Sequence, residues 1–388
     1  MVRSDTIVSV VYRVPFNRPT RTGHDLQYVQ QALASGCLSG DGPFTKRCHQ
    51  ILEAIPGAGK ALLTTSCTHA LEMAALLLDI GPGDEVVVPS FTFVSSVNAF
   101  VLRGATPVFV DIRPDTLNLD ERLIEEAITP RTRAILVVHY GGIACDMAAI
   151  GAIADRARVP IVEDNAHGLF GRYRGRYLGT FGRLATLSFH ETKNFTCGEG
   201  GALLVNDPAL AERAEIIREK GTDRSRFFRG QVDKYGWVDL GSSYLPSELL
   251  AAMLAAQLED RERIQSRRRH IWERYRGELG AWALAAGVAM PAVPSDCEPA
   301  FHLFYLLMPS LRARAALIEH LKGRGILAVF HYLPLHTSVM GRRLGVSGRG
   351  CAVTDRASDQ LVRLPFFTDM SDAEQSEVIA AVHEFKAL

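Results

Sequence analysis

The residue whose context best suits covalent chemistry is Lys193. It follows the apolar run 185–190 and precedes the glycine-rich stretch 198–201, so we expect it just past the end of a buried strand. Partial burial lowers the pKa of an amine and makes available the neutral form that attacks a carbonyl to give a Schiff base. The alternative interpretation is a solvated lysine on a surface loop, which is how most lysines occur.

A carboxylate stands at the comparable place in another apolar run. Asp164 closes the segment 160–164, where it can pair with a protonated pyridine nitrogen and keep that ring electron-withdrawing. The alternative is a helix N-cap, a frequent role for Asp after a strand. The residue alone leaves both interpretations open.

Two further segments offer groups for a phosphate and for a planar ring. Cys67 and Thr68 lie between a predicted strand and a predicted helix, where backbone N–H groups and hydroxyls can bind a phosphate. Phe93 follows another strand and can stack on a ring, although core packing is the usual role of Phe. A lysine, an acid, a phosphate site and a stacking aromatic at successive strand ends are what a pyridoxal phosphate site requires.

The sequence lacks the motifs of nucleotide-phosphate, nicotinamide and metal sites. The segment 57–61 resembles a P-loop, but Ala54 and Ala61 stand where that motif needs a glycine and a hydroxyl. No G-x-G-x-x-G follows a predicted strand, which argues against a nicotinamide enzyme. The 12 histidines form no H-E-x-x-H or similar set, so we expect no metal site.

The hydrophobic pattern predicts the scaffold that positions these residues. Seven apolar runs read as buried strands, at 61–66, 86–91, 107–111, 134–140, 160–164, 185–190 and 201–206. The stretches 71–80, 123–128, 147–157 and 209–220 show helical spacing. This alternation predicts an α/β fold with a mostly parallel seven-stranded sheet covered on both faces, and a ligand site at the carboxyl ends of its strands.

The pattern changes after Pro246. A long helix is predicted over 247–279, followed by a strand at 301–308, a helix at 311–324, a strand at 326–332, and helices at 356–364 and 372–385. We therefore predict a large α/β domain over residues 1–255 and a smaller α+β domain over residues 256–388, which the long helix enters.

Composition and charge argue against several classes of protein. The 388 residues carry 43 Lys and Arg against 43 Asp and Glu, so no broad cationic surface for nucleic acid is expected. No apolar run reaches the roughly 18 residues of a membrane span. The 7 cysteines are scattered and form no C-x-x-C pair, which predicts reduced thiols and a cytoplasmic protein.

Several longer segments resemble one family. They are SCT at 66–68, LEMAA at 71–75, SFHETKN at 188–194, FRGQVDKY at 228–235, GSSYL at 241–245 and FHYLPLH at 330–336. Together with Lys193 and Asp164 they resemble the DegT/DnrJ/EryC1/StrS sugar aminotransferases, a family of fold-type I pyridoxal phosphate enzymes. The resemblance runs from Pro15 to the C-terminus.

The resemblance implies a role for each residue around the cofactor ring. Lys193 would form the internal aldimine and move the proton between cofactor and sugar carbon, and Asp164 would pair with the pyridinium nitrogen. Phe93 would stack on the ring. His167, at a place where close relatives tend to have Gln, would lie beside the ring.

The phosphate contacts are implied in the same way. Ser188 and the backbone of Cys67 and Thr68 would hold the phosphate. Most of the family has an Asn that reaches the phosphate from the partner subunit, and this chain has Ser243 there. Because fold-type I sites are completed across a two-fold interface, the resemblance also implies a homodimer with shared active sites.

The implied reaction is two half-transaminations. L-Glutamate would donate the amino group, and a nucleotide-linked 4-keto sugar would accept it at C4. The first candidate acceptor is dTDP-4-keto-6-deoxy-D-glucose, which would give a 4-amino-4,6-dideoxyhexose, and a UDP- or dTDP-linked 4-keto pentose is the alternative. A pyridoxamine-dependent sugar dehydratase would have His in place of Lys193, and a non-catalytic cofactor-binding regulator would not need both Lys193 and Asp164.

Five residues are candidates for contacts to the nucleotide sugar. The cations would bind the diphosphate and the ring side chains would contact the sugar. They are Arg229, Lys234, Tyr235, Tyr332 and His336. The alternatives are a solvated surface charge for Arg229 and a packed loop around Pro334 for the histidines.

Overall fold

A computed structural model describes residues 12–347 and 350–386. The α-helices are α1 (Asp25–Ala34), α2 (Pro43–Ala54), α3 (Cys67–Leu77), α4 (Val94–Val101), α5 (Ile124–Ala127), α6 (Met147–Ala157), α7 (Ala211–Arg218), α8 (Arg224–Phe228), α9 (Glu248–Glu259), α10 (Arg261–Ala285), α11 (Leu311–Gly323), α12 (Val339–Leu344), α13 (Ala352–Gln360) and α14 (Asp372–Glu384). Short 3₁₀ turns cover Glu121–Leu123, Tyr140–Gly142 and Pro208–Leu210.

The strands form one large sheet and two small ones. They are β1 (Lys60–Thr64), β2 (Glu85–Pro89), β3 (Thr106–Val110), β4 (Thr132–Val138), β5 (Ile161–Asp164), β6 (Arg172–Tyr173), β7 (Arg176–Tyr177), β8 (Leu184–Ser188), β9 (Gly201–Val205), β10 (Cys297–Glu298), β11 (Tyr305–Leu307), β12 (Val329–Phe330), β13 (Val346–Ser347) and β14 (Leu361–Arg363). The small sheets have the orders β10-β6-β7 and β11-β14-β12.

The large sheet confirms the seven predicted strands and adds an eighth. Its order is β1-β9-β8-β5-β4-β2-β3-β13. Strand β9 runs antiparallel to both of its neighbours, and the other pairs are parallel. Strand β13 comes from the C-terminal part of the chain and extends the edge next to β3. The prediction of a mostly parallel α/β sheet is therefore confirmed.

Helices cover both faces of this sheet because its strands are apolar on both sides. On β2, Val86 and Val88 pack into the core beneath α3 and α4, whereas Val87 packs into the core beneath α6. A separate core forms around α10, α11, α14 and the sheet β11-β14-β12. Helix α10 joins the two, since its Ile264 lies in a core of the large sheet and its Ile271 in the separate one. A domain boundary after residue 255 stays a prediction.

Two predicted elements are wrong in the C-terminal half. The helix expected over 247–279 is two helices, α9 and α10, that meet at Asp260, whose carboxylate accepts a hydrogen bond from Arg263 Nε (2.6 Å). The helix expected over 356–364 ends at Gln360, and the chain continues as β14, the central strand of its sheet. Buried Leu361 and Val362 make this strand, because they pair with β11 across more than fifty residues of sequence.

Within residues 12–347 and 350–386, no helix is both long enough and apolar enough to cross a bilayer.

Candidate active site

A cavity of about 640 Å³ opens where the parallel strands of the large sheet end. Loops after β1, β2, β5 and β8 form one side of it, and the segments 302–303 and 330–333 from the C-terminal half form the other. Eight of the predicted site residues line it, namely Cys67, Thr68, Phe93, Asp164, His167, Ser188, Lys193 and Tyr332. The structure thus brings together residues that lie up to 265 positions apart in the sequence.

Lys193 lies in the turn that follows β8, where its backbone N–H donates to the carbonyl of His190 (2.9 Å). The pKa of its amine is lowered from 10.5 to about 8, mainly by burial and to a smaller extent by the positive charge of Arg363. The nearby Cys67 and Asp164 act in the opposite direction. A much larger fraction of this amine is therefore neutral near pH 7 than of an exposed lysine, as a Schiff-base lysine requires.

Asp164 ends β5 and is held by two hydrogen bonds. Ser96 Oγ donates to Oδ2 (2.6 Å), and the backbone N–H of Ala166 donates to Oδ1 (3.2 Å). The Ser96 hydroxyl also lies 2.8 Å from the hydroxyl of Thr92. These donors fix the direction of the carboxylate, so Asp164 can accept a hydrogen bond from a protonated ring nitrogen.

Sequence reasoning missed Ser96. It lies in the first turn of α4 and is 1 % exposed, although α4 is otherwise largely apolar. A buried serine in an apolar helix that begins at a predicted site residue, Phe93, is the signal that could have identified it.

The N-terminus of α3 forms a second wall of the cavity. Ser66 is its N-cap and accepts a hydrogen bond from the N–H of His69 (3.1 Å), while Ser66, Cys67 and Thr68 all line the cavity. Ser188, at the end of β8, lines it beside them. The positive end of a helix dipole together with hydroxyl donors fits a phosphate group.

A glycine allows strand β9 to pack closely against the N-terminus of α3. Strand β9 begins at Gly201, and a Cβ added there would lie 2.3 Å from the carbonyl carbon of Ser66. The strand therefore packs directly against the backbone that begins α3, which fixes where the helix N-terminus points.

Histidines and aromatic residues close the cavity from the C-terminal side. His167 stacks on His302, with ring centroids 4.1 Å apart, and accepts a hydrogen bond from the N–H of Gly141 (3.3 Å). Burial holds the pKa of both rings well below the usual value, so both are neutral. His302 Nδ1 donates to Asn194 Oδ1 (2.9 Å). Sequence reasoning missed His302 because only tertiary packing brings its loop here.

Phe93 and Tyr332 both line the cavity, and their rings lie close together. Their ring centroids are 6.3 Å apart, and Phe93 is 57 % exposed. Tyr332 is also packed edge-on against Phe91, at 5.6 Å, and burial raises the pKa of its hydroxyl. The exposed face of Phe93 is free to cover a planar ring.

Five predicted residues do not line the cavity. His336 lies 2.7 Å from the hydroxyl of Ser90 and 3.5 Å from the carboxylate of Asp355, which is the packed-loop alternative. Arg229 pairs with Glu215 (2.7 Å) on the surface. The other three, Lys234, Tyr235 and Ser243, are exposed. Because Ser243 was expected to act in a partner subunit, a single chain leaves that prediction untested.

Comparison with known proteins gives one consistent result. The sequence model of the DegT/DnrJ/EryC1/StrS aminotransferase family matches residues 19–383. The structure is similar to DesV from S. venezuelae, with 34% identity, a TM-score of 0.86, and coverage of 96% of this chain and 98% of that one. It is similar to the aminotransferase TlmJ from Streptoalloteichus hindustanus, with 32% identity, a TM-score of 0.86, and coverage of 96% and 97%.

A third similar structure bears on the cofactor. Spr1654 from Streptococcus pneumoniae, solved in a PLP form, has 28% identity, a TM-score of 0.88, and coverage of 96% of this chain and 98% of that one. The cavity described above fits that cofactor, since it presents a lysine amine, a fixed carboxylate, a helix N-terminus with nearby hydroxyls and an exposed aromatic side chain. The chain belongs to the DegT/DnrJ/EryC1/StrS aminotransferase family, and it is an enzyme that uses pyridoxal 5'-phosphate.

Proposed function

We propose that this enzyme transfers an amino group from L-glutamate to C4 of a nucleotide-linked 4-keto sugar. The first candidate acceptor is dTDP-4-keto-6-deoxy-D-glucose, which would become a dTDP-linked 4-amino-4,6-dideoxyhexose. A UDP- or dTDP-linked 4-keto pentose is the alternative acceptor. The observation that carries the proposal is a cavity in which the low-pKa amine of Lys193 and the fixed carboxylate of Asp164 stand together beside a phosphate-binding helix end.

Lys193 is the acid–base of both half-reactions in this proposal. When bound, pyridoxal phosphate supplies an electron-poor ring that accepts the electron pair left behind when a substrate carbon loses its proton. Lys193 Nζ takes that proton from the α-carbon of the donor in the first half-reaction. In the second it delivers a proton to C4 of the sugar. A pKa near 8 suits both directions, because the amine can take and return a proton near neutral pH.

Asp164 is the proposed partner of the nitrogen in the cofactor ring. Its carboxylate would pair with a protonated ring nitrogen, and the hydrogen bonds from Ser96 and from the Ala166 backbone fix the direction of that carboxylate. His167 and His302 are neutral, so they enclose the site without placing a competing positive charge next to the ring nitrogen.

The phosphate and the ring are bound by separate groups. The N-terminus of α3 and the hydroxyls of Thr68 and Ser188 would bind the phosphate, and Phe93 would cover the ring. Binding at the phosphate holds the reacting atoms in place while one substrate replaces the other.

We also propose that a second copy of the chain completes the site. Arg229, Lys234, Tyr235 and Ser243 would then serve the partner's cavity, which accounts for their position outside the cavity of their own chain. The same segment exposes large apolar side chains, with Phe228 71 % and Trp237 80 % exposed, as expected of a surface that another subunit covers.

A half-reaction tests the proposed chemistry. The purified holoenzyme receives L-glutamate without an acceptor, and the cofactor absorbance is followed while 2-oxoglutarate is measured. We expect the absorbance to change and one 2-oxoglutarate to form per site, and we expect neither with Lys193→Ala. Lys322→Ala, which removes an exposed lysine paired with Glu319, is the matched control and should behave as wild type.

The acceptor is identified in the second half-reaction. The aminated holoenzyme is mixed with dTDP-4-keto-6-deoxy-D-glucose or with a 4-keto pentose nucleotide, and return of the original cofactor absorbance reports transfer. Faster return with the hexose supports the first acceptor. An unchanged absorbance with glutamate, glutamine and aspartate would refute the transaminase proposal.

A further inference from the structure

The side chain next to Lys193 makes hydrogen bonds that reach the C-terminal half of the chain. Asn194 is 5 % exposed and does not line the cavity. Its Nδ2 donates to the carbonyl of Ala300 (2.7 Å), and its Oδ1 faces Nδ1 of His302 (2.9 Å). The hydrogen bond from the N–H of Lys193 to the carbonyl of His190 stays within the turn. Asn194 therefore ties the turn that carries Lys193 to a segment more than 100 residues later.

These hydrogen bonds determine which nitrogen of His302 carries its proton. Because the amide nitrogen of Asn194 donates to Ala300, its oxygen is left to accept, and Nδ1 of His302 must donate to it. Burial holds the pKa of His302 well below the usual value, so the ring is neutral and its Nε2 carries no proton. The pair therefore has one arrangement in which both groups are satisfied.

The ring of His302 also contacts the loop that follows β5. It stacks on the ring of His167, with the centroids 4.1 Å apart and 20° between the planes. His167 follows Asp164 by three residues, and its Nδ1 accepts a hydrogen bond from the N–H of Gly141 (3.3 Å). His302 thus joins the two segments of the large sheet that carry the proposed reacting groups.

The segment that accepts these contacts is itself firmly held. Phe301 has a φ of +52°, a left-handed conformation that costs energy for a bulky residue. Arg268, buried on α10, donates to the carbonyls of Phe301 (2.9 Å) and His302 (2.5 Å). The N–H of Ala300 donates to the carbonyl of Gly142 (2.9 Å). Because bonds from two sides hold a conformation that a free loop would not keep, this segment can act as a fixed support.

We propose that Asn194 and His302 are positioning residues for the reaction at Lys193. By holding the turn of Lys193 against a fixed segment, they keep its amine in one place and away from bulk water while one substrate replaces the other. This inference rests on the proposed function, since it concerns the placement of the amine that the proposed reaction uses. Neither side chain needs to touch a substrate for this role.

Three variants separate the hydrogen bonds from the ring contact. Asn194→Ala removes both hydrogen bonds. His302→Phe keeps an aromatic ring but removes the donor, whereas His302→Asn keeps an N–H donor near the place of Nδ1 but removes the ring. Asn206→Ala is the matched control. Asn206 also donates to two carbonyls, those of Gly179 (3.0 Å) and Gly182 (2.8 Å), and it does not line the cavity.

The two half-reactions are followed separately in each holoenzyme. For Asn194→Ala we expect the rate constant at saturating substrate to fall about tenfold in both, because Lys193 acts in both. The L-glutamate concentration at half-maximal rate should stay within about twofold of wild type, since Asn194 does not line the cavity. His302→Phe should lose a similar factor, and His302→Asn should recover most of it. Asn206→Ala should match wild type.

A second readout does not depend on turnover. Cofactor-free protein is labelled with fluorodinitrobenzene between about pH 6 and pH 11, and labelled Lys193 is quantified. In wild type the midpoint should lie near pH 8, because burial lowers the pKa of this amine. In Asn194→Ala a loosened turn admits water, so the midpoint should rise by about one pH unit. The neighbours that act on the amine, Asp164, Cys67 and Arg363, are the same in both proteins.

The results decide for or against the positioning role. Slower chemistry in both half-reactions together with a raised midpoint supports it. Wild-type rates in Asn194→Ala overturn it, and so does a loss confined to one half-reaction or an unmoved midpoint. If L-glutamate fails to react with wild type, the transaminase proposal alone is refuted and the labelling midpoint decides this inference. If Asn194→Ala does not fold, His302→Phe and His302→Asn decide it, and equal rates in these two variants overturn it.

Discussion

Without its cofactor, the protein should titrate Lys193 far below the range of ordinary lysines. Burial sets the pKa of its amine at about 8 instead of 10.5. At pH 7 about one tenth of Lys193 is then neutral, against about one part in 3,000 for a lysine at 10.5, a difference of about 300-fold. Lys193 should therefore react first with an electrophile that attacks only neutral amines.

Competitive labelling measures this pKa directly. Cofactor-free protein is treated briefly with fluorodinitrobenzene between about pH 6 and pH 11, and each labelled lysine is quantified by peptide mass spectrometry. The reagent reaches Lys193 through the cavity, and exposed Lys322 serves as the internal reference. We expect the labelling midpoint of Lys193 near pH 8. A midpoint above about pH 10 would refute the assignment of a desolvated amine.

Two variants test whether the neighbouring charges act as the structure indicates. Asp164→Asn removes a negative charge that raises the pKa of Lys193, so its midpoint should move lower. Arg363→Gln removes a positive charge that lowers the pKa, so that midpoint should move higher. If both variants move the midpoint in one direction, the electrostatic reasoning is wrong.

Three substitutions test the supports of the site. Ser96→Ala removes the donor to Asp164 Oδ2, so cofactor affinity should fall about tenfold by titration of cofactor-free protein, and unchanged affinity would contradict that role. Gly201→Ala places a Cβ against the Ser66 backbone. We therefore expect the free energy of unfolding to fall by about 2 kcal/mol and phosphate binding to weaken. A wild-type melting temperature would show that β9 can shift. Glu248→Gln replaces a carboxylate that accepts the N–H groups of residues 42, 44 and 45, and should lower unfolding free energy by about 2 kcal/mol while leaving the cofactor absorbance unchanged.

The sequence predicted the large sheet well because its strands are local signals. Each of the seven is a run of apolar residues between turns, and the structure matches each within about two residues at either end. The sheet topology alone determines where the residues at the carboxyl ends of the strands lie. Lys193 and Asp164 could therefore be predicted to share one site.

The missed half of the site comes from long-range pairing. Strand β14 has three residues, too few to show a period, and the helical spacing of α13 hides it. Only its pairing with β11 and β12 makes it a strand and directs Arg363 into the cavity. His336 is the opposite case, because its motif resembles a binding segment of the family but its ring contacts Ser90 and Asp355 outside the cavity.

The charges inside the cavity bear on how it would serve the two substrates of the proposed reaction. Its lining holds the basic residues Lys193 and Arg363 and the acidic residues Asp164 and Glu199, while burial holds the pKa of His167, His302 and His331 well below the usual value. In the proposed arrangement, the N-terminus of α3 would hold the cofactor phosphate. Lys193 would then be left to move the proton in both half-reactions. When the donor leaves as a keto acid, its carboxylate goes with it, and the same space accepts an uncharged sugar ring.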